Sequence, residues 1–321
     1  MTRKLTRMLF PALALLLAGC DKFFLFDFDA KDHEPVTINF TQSGLFPEGL
    51  VFDPLHKRFY VSSTSRGSIG IVTPAGTYTP FIRDEVLTRT TGLEVDKARQ
   101  RLLVSNAPNG LGAYHLNSGA RIFYADLAAL LPGAPVFIND VALEAEGRAY
   151  VTNSQSPVIY RVDRQGQAAI FFQDPAFATA AGGFGFNGIE YDERGFLLVS
   201  FVSRNQVVKI PVDQPANYAI VQLDAPLNRP DGLLLSKDGK QLVVANNAGG
   251  SAAGQVLSFI SHDAWQSGRL STTFHTGAVF PTTLTGNGRR VYVLYAYLHR
   301  SGTGQDIFTI QEVPLKKLSP F

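Results

Sequence analysis

The sequence predicts an all-β protein, a six-bladed β-propeller of four-stranded blades whose ring is closed by an N-terminal strand. Two observations predict this fold. A short phrase recurs six times along the 321 residues, at intervals of 43 to 51 residues. The composition, with 24 Phe, 11 Tyr, 29 Gly and only 17% charged residues, favours strands and turns over helices.

The recurring phrase consists of a polar, a small, an aliphatic, a variable, an apolar and an acidic residue. A turn and a second β-rich segment follow each copy, as in Arg101–Val104 and Arg290–Val293. Repeats of this length hold four strands, which is one propeller blade. The six copies begin at Glu48, Thr91, Asn139, Asn187, Asp231 and Thr282, and the last copy is degenerate.

The two ends of the repeat region predict how the ring closes. The last repeat ends with Asp306–Val313 and lacks a fourth strand, while Val36–Phe40 precedes the first repeat without a partner. We therefore predict that Val36–Phe40 is the outermost strand of the sixth blade, which removes an open sheet edge. The propeller domain is expected to span residues 36–321.

The N-terminus has the pattern of an export signal. Arg3, Lys4 and Arg7 precede the apolar stretch Met8–Ala18, which is too short to span a bilayer. The stretch ends in Leu17-Ala18-Gly19-Cys20, which resembles the lipobox of bacterial lipoproteins. This resemblance implies that residues 1–19 are removed and that Cys20 is lipidated. An ordinary signal peptide is the alternative, but Cys20 is the only cysteine and so has no intramolecular disulfide partner.

Residues 20–35 are then expected to form a lipidated tether that holds the domain in the cell envelope, facing the periplasm. Asp21 follows the lipidated position, which resembles a signal for retention at the inner membrane. Without residues 1–19 the chain carries 26 basic and 27 acidic residues. A chain with nearly equal numbers of basic and acidic residues offers no electrostatic attraction to nucleic acid. We also expect the protein to be a monomer.

The first residues of the six phrases are candidates for a functional site. In a propeller the innermost strands line the central channel, so these residues should form a ring at one mouth. They comprise two carboxylates, two amides and two hydroxyls. Facing carboxylates repel each other unless a cation lies between them, and oxygen donors of this kind suit Ca²⁺. The alternative is that Asn-Gly and Asp-Gly at these positions are ordinary turn residues in a hydrated channel.

Four of the phrases resemble the regucalcin/gluconolactonase (senescence-marker-protein-like) family of six-bladed propellers. The matching motifs are Glu48, Asn139-Asp140, Asn187-Gly188 and Pro230-Asp231-Gly232. The resemblance implies a metal-dependent hydrolase of lactones. Its metal ligands would be Glu48, Asn139, Asn187 and Asp231, and Asp231 would also be the catalytic general base. Ca²⁺ is the expected ion, with Zn²⁺ and Mn²⁺ as alternatives.

One departure from the family bears on the substrate. The family's sugar lactonases place an arginine two residues before the first asparagine, where this chain has Phe137. We therefore expect a hydrophobic lactone or ester. Its predicted contacts are Phe137, Phe184 and Phe186, with Thr91 and Thr282 at the two ring positions that would leave room for it. The alternative function is a non-catalytic propeller that binds a protein or glycan partner in the cell envelope.

Overall fold

The computed structural model describes residues 34–316 and 319–321. Six β-sheets surround a central channel, so the predicted six-bladed propeller is confirmed. The predicted signal peptide, the lipidation site Cys20 and the tether as far as residue 33 lie outside the described residues. No helix in the described part of the chain is long and apolar enough to cross a membrane.

The strands follow one another through the blades in chain order. An N-terminal strand, β1 (Thr37–Thr41), precedes the first blade, which comprises β2 (Leu50–Asp53), β3 (Arg58–Val61), β4 (Ser68–Val72) and β5 (Tyr78–Arg83). The second blade comprises β6 (Thr90–Asp96), β7 (Arg101–Asn106), β8 (Gly110–His115) and β9 (Arg121–Asp126). The third comprises β10 (Ile138–Leu143), β11 (Ala149–Asn153), β12 (Val158–Val162) and β13 (Ala168–Gln173).

The remaining blades follow the same plan, except that the fifth has one additional short strand at its outer edge. The fourth comprises β14 (Phe186–Asp192), β15 (Phe196–Phe201), β16 (Gln206–Pro211) and β17 (Ala219–Ile220). The fifth comprises the short β18 (Gln222–Leu223), then β19 (Pro230–Leu235), β20 (Gln241–Asn246), β21 (Gln255–Ile260) and β22 (Ser267–His275). The sixth comprises β23 (Pro281–Gly286), β24 (Val291–Tyr295) and β25 (Ile307–Val313), completed by β1.

Helical structure in the described part is limited to 3-10 segments of three residues. They are Lys97–Arg99, Ala128–Leu130, Pro175–Phe177, Val202–Arg204, Pro215–Asn217, Ala248–Gly250 and Leu298–Arg300.

Hydrophobic cores lie between neighbouring blades. Tyr150 of the third blade packs in one core with Leu197 of the fourth, and Leu198 of the fourth packs in another with Leu242 of the fifth. The second strand of a blade therefore faces a core on both sides, which explains why β7 is buried along its whole length. Outer strands such as β5 are buried only in part.

The ring closes as the sequence predicts. Strand β1 pairs antiparallel with β25, placing Ile38 opposite Ile310 and Phe40 opposite Phe308. The Phe40 and Phe308 rings lie 5.9 Å apart between centroids, and both side chains are almost fully buried. The first and last strands of the domain are therefore held together by a ladder and a shared core, and the sixth blade has its fourth strand.

Candidate active site at the channel mouth

A cavity of about 190 Å³ opens at one mouth of the central channel. All four predicted metal ligands line it, and each is at most 7% exposed. The structure therefore brings together four side chains that are separated by as many as 183 residues in the sequence. The lining residues are Glu48, Thr64, Arg89, Phe137, Asn139, Phe184, Asn187, Val202, Arg229, Asp231, Asn247, Phe280, Leu298 and Ser301.

β-Bulges occur at five of the six ring positions. In β10 the pairing with β11 shifts between Ile138 and Val141, so Asn139 and Asp140 together oppose one residue. Shifts at the equivalent register occur in β6, β14, β19 and β23. A bulge re-aims a side chain without ending the strand. In five phrases the first residue therefore lies at a bulge while the rest of the strand continues the blade. Glu48 is the exception, because it precedes β2, whose pairing with β3 is regular.

The glycines after the ring residues are required by close packing at the axis. A Cβ atom on Gly188 would lie 2.4 Å from the Asp231 carbonyl oxygen, and one on Gly49 would lie 2.2 Å from the Thr91 carbonyl oxygen. In both pairs the carbonyl belongs to the ring residue of the next blade. Neither glycine has a positive φ. The Asn-Gly and Asp-Gly pairs are therefore explained by contact between blades rather than by turn geometry.

Two of the four predicted ligands present oxygen atoms without protein partners. Glu48 Oε2 and Asn139 Oδ1 are buried and accept no hydrogen bond from any described residue. The orientation of Asn139 is set by its amide nitrogen, which donates to Ser154 Oγ at 2.8 Å. Because an unsatisfied buried acceptor is costly, these two atoms are suited to a ligand in the cavity.

The carboxylates of the mouth are held in an environment that opposes their charge. Burial, followed by the charges of Asp231 and Asp140, raises the pKa of Glu48 well above its usual value. Burial also raises the pKa of Asp231 to about 7, against the effect of a hydrogen bond from Asn247 Nδ2, which lies 2.7 Å from Asp231 Oδ2. The ring is therefore stabilised either by protons or by a bound cation.

Acidic residues continue below the ring. Burial raises the pKa of Asp140 to about 7 and that of Glu94 to about 8. Asp140 accepts hydrogen bonds from the amides of Val141 and Ile189. Within the described residues no three His, Cys, Asp or Glu side chains are grouped as metal ligands, so a cation site at the mouth depends on amide oxygens as well.

The predicted aromatic contacts divide into two groups. Phe137 and Phe184 line the cavity, with their rings 5.0 Å apart in an edge-to-face arrangement. Phe186 does not line it. This side chain is fully buried between the third and fourth blades, 4.9 Å from the Phe177 ring. Successive side chains of a strand point to opposite faces, and Phe186 directly precedes the ring residue Asn187. Its predicted role in substrate binding is replaced by a role in the core.

Thr91 and Thr282 also differ from the prediction. Both are fully buried and neither lines the cavity. The Thr91 hydroxyl donates to the Ile138 carbonyl oxygen at 3.0 Å, and the Thr282 hydroxyl donates to the Glu48 carbonyl oxygen at 2.8 Å. These hydroxyls join neighbouring blades, so the two ring positions do not form openings for a substrate.

Sequence reasoning missed eight of the lining residues, and four of these bear on the chemistry of the cavity. Arg89, Arg229 and Phe280 each lie two residues before the first residue of a phrase, which is the register of Phe137. A comparison of this register across the six repeats would have found them. Asn247 directly follows β20 of the fifth blade, and nothing in its local sequence indicates that it contacts Asp231.

No protein-family model and no curated protein matches the sequence. Solved structures do match. A luciferin-regenerating enzyme has a TM-score of 0.65 and 13% identity, over 90% of this chain and 98% of its own. A gluconolactonase from Xanthomonas campestris has a TM-score of 0.61 and 14% identity, over 87% and 90%. Calcium-binding regucalcin from Agrobacterium tumefaciens has a TM-score of 0.58 and 15% identity, over 89% and 99%.

The structural neighbours thus include members of the family that the sequence motifs resemble. At these identities the similarity establishes the shared six-bladed fold. The neighbours also include a virginiamycin B lyase from Staphylococcus aureus, so different activities occur on this fold. The function of this chain must therefore be argued from its own cavity.

Proposed function

We propose that this protein is a metal-dependent hydrolase that opens a lactone or ester in the cavity at the channel mouth. The observation that carries the proposal is the pair of buried acceptors, Glu48 Oε2 and Asn139 Oδ1, that have no partner among the described residues and lie in a cavity shared with Asp231. The gluconolactonase neighbour supports this reaction class, and the name of the regucalcin neighbour supports calcium.

The residues present fit a divalent cation. Two carboxylates and two amides supply only oxygen donors, which is the ligand chemistry of Ca²⁺, and Zn²⁺ or Mn²⁺ would also be accommodated. Glu48, Asn139, Asn187 and Asp231 would hold the ion. When bound, it would polarise the carbonyl group of the substrate and lower the pKa of water. A cation would also offset the repulsion that raises the pKa of Glu48.

Asp231 is the residue best placed to move a proton. Burial raises the pKa of this carboxylate in the metal-free protein, and in the proposed reaction the carboxylate would accept a proton from water and return it to the leaving oxygen. Asn247 holds the orientation of this carboxylate through the hydrogen bond to Oδ2. Thus Asp231 would act as the base, and Asn247 as a positioning residue.

The cavity walls favour a substrate with an apolar body. Phe137, Phe184 and Phe280 contribute aromatic surface around an opening that admits only a small molecule. Phe137 takes the register where the sugar lactonases of the resembled family have an arginine. A hydrophobic lactone or ester is therefore the proposed substrate.

The cellular setting is part of the same proposal. The lipobox-like sequence at Cys20 supports attachment to a membrane of the cell envelope, with the propeller in the periplasm, and Asp21 favours the inner membrane. A non-catalytic propeller that binds an envelope partner is the competing function. It would use the same ring without turnover.

Metal analysis of the purified protein, combined with hydrolysis assays, tests the proposal. We expect one divalent ion per chain, with loss of that ion in Asp231→Asn and Asn187→Ala. Asp213→Asn and Asn217→Ala, which alter exposed side chains in the fourth blade, are the matched controls and should keep it. Phenyl acetate and a series of γ- and δ-lactones would be assayed with added Ca²⁺, Zn²⁺ and Mn²⁺. Background rates with every ion and every substrate would contradict catalysis and favour the binding protein.

A further inference from the structure

We propose that the substrate carries a negative charge and that Arg89 and Arg229, at the rim of the cavity, bind it. This inference deepens the proposed function and rests on it. It specifies a small monoanionic ester or lactone whose apolar body lies among the phenylalanines while its anionic group meets the two guanidinium groups.

The two arginines occupy equivalent places in different blades. Each lies two residues before a ring residue, Thr91 in the second blade and Asp231 in the fifth, and each lines the cavity. Two other residues of this register, Phe137 and Phe280, also line it. The rim layer therefore combines cationic and aromatic groups, whereas the ring below it combines carboxylates and amides.

The backbone holds both arginines at the rim. Arg229 has a left-handed conformation, with φ of 51°, and is followed by Pro230. Its amide donates to Asn205 Oδ1 at 2.8 Å. The left-handed region is costly for a residue with a side chain, so the chain maintains this position against a local preference. The Arg89 amide donates to Asn106 Oδ1 at 3.1 Å.

The guanidinium groups remain available to a ligand. Both side chains are exposed, and neither forms an ion pair with any residue in the described ranges. The Arg89 guanidinium carbon lies 5.0 Å from the centre of the Phe137 ring. Stacking of this kind orients the planar group without using its hydrogen-bond donors. By contrast, Arg101 donates to Asp96 and Arg194 to Asp192, so those guanidinium groups are committed to the fold.

Charge balance at the mouth favours an anion at the rim. Arg89 lowers the pKa of Glu48 and Arg229 lowers that of Asp231, which places each arginine within electrostatic reach of one ring carboxylate. A divalent cation would match the charges of Glu48 and Asp231, while Asp140 is held by the amides of Val141 and Ile189. The two guanidinium groups at the rim would then face the cavity without a carboxylate bonded to them, and a ligand carboxylate is the group whose geometry matches their paired donors.

Binding measurements test this inference independently of turnover. Calorimetry would compare benzoate with its neutral analogue benzamide on calcium-loaded wild type, Arg89→Gln, Arg229→Gln and the double variant. We expect wild type to prefer benzoate and each single variant to lose about fivefold in benzoate affinity, with no change for benzamide. Arg269→Gln, which alters an exposed arginine on β22, should behave as wild type. Arg89→Lys should restore part of the affinity.

Kinetics with a matched ester pair provides the second readout. The ratio of kcat/KM for 4-acetoxybenzoate to that for its methyl ester should fall in both glutamine variants. Equal affinity of wild type for benzoate and benzamide would overturn the inference, as would equal losses for both ligands in the variants. If the arginines discriminate benzoate and neither ester is hydrolysed, the anion site stands and the proposed hydrolase function fails.

Discussion

The charge of Asp231 should destabilise the metal-free protein above neutral pH, and Asp231→Asn should reverse the effect. The carboxylate is 4% exposed, and burial raises its pKa from 3.8 to about 7. An acid whose pKa is higher in the folded than in the unfolded state binds its proton more tightly when folded. Its contribution to stability is therefore full below pH 3.8 and is lost as the pH rises through about 7.

The magnitude follows from the size of this rise. At 1.36 kcal/mol per pKa unit, the ionised carboxylate costs about 4 kcal/mol at pH 8. The asparagine variant stays neutral and keeps a side-chain oxygen that can accept the hydrogen bond from Asn247. It also removes the repulsion that Asp231 exerts on Glu48. For a domain of this size, about 2 °C per kcal/mol corresponds to a gain in Tm of up to about 8 °C.

Calorimetric unfolding in EDTA at pH 4, 6 and 8 measures the effect. The gain in Tm of Asp231→Asn over wild type should be near zero at pH 4 and largest at pH 8. Asp213→Asn, in which an exposed carboxylate is changed, should show no such trend. A variant less stable than wild type at pH 8, or a gain of the same size at every pH, would refute the reasoning. Ca²⁺ should raise the Tm of wild type at pH 8 and leave that of Asp231→Asn nearly unchanged, because binding to the folded state alone stabilises it.

Three further predictions concern the supports of the site. Asn247→Ala removes the hydrogen bond that lowers the pKa of Asp231. The acid limb of the pH profile of kcat/KM should therefore move to higher pH, and an unshifted limb would argue against Asp231 as the base. Gly188→Ala places a Cβ 2.4 Å from the Asp231 carbonyl oxygen and should reduce both Tm and bound metal, whereas Gly304→Ala, with no atom within 4 Å, should change neither. Phe40→Ala should lower the free energy of unfolding by about 3 to 5 kcal/mol in urea titrations, and a loss below about 1 kcal/mol would show that β1 does not close the ring tightly.

The fold was predictable because each blade is a local unit. The recurring phrase, the turn that follows it and the second β-rich segment all lie within one repeat, so a blade can be recognised without knowing its neighbours. The position of β1 was also predictable. One end of the repeat region has an unpaired strand and the other end has a blade that lacks a strand, so pairing the two completes the sixth blade. The structure places Thr37–Thr41 there, one residue from the predicted range.

The candidate site was predictable only in part. The repeat register predicts that Asn139 and other first residues of the phrases line the mouth. It does not predict the aromatic contacts, because Phe184 and Phe186 are separated by a single residue and yet Phe184 lines the cavity while Phe186 lies in a core. Where each points depends on the approach of the chain to the bulge at Asn187, a feature of strand pairing that no single segment encodes.

The sequence by itself therefore determined the number of blades, the closure of the ring and the register at which polar residues meet the channel. Tertiary structure decided which of those residues are free to bind a ligand. Thr91 donates its hydroxyl to the Ile138 carbonyl oxygen of the next blade, while the buried side-chain oxygen of Asn139 has no hydrogen-bond partner in the part of the chain that the structure describes. The difference arises from contacts between blades, since hydrogen-bond partners from distant repeats become neighbours only when the ring has closed.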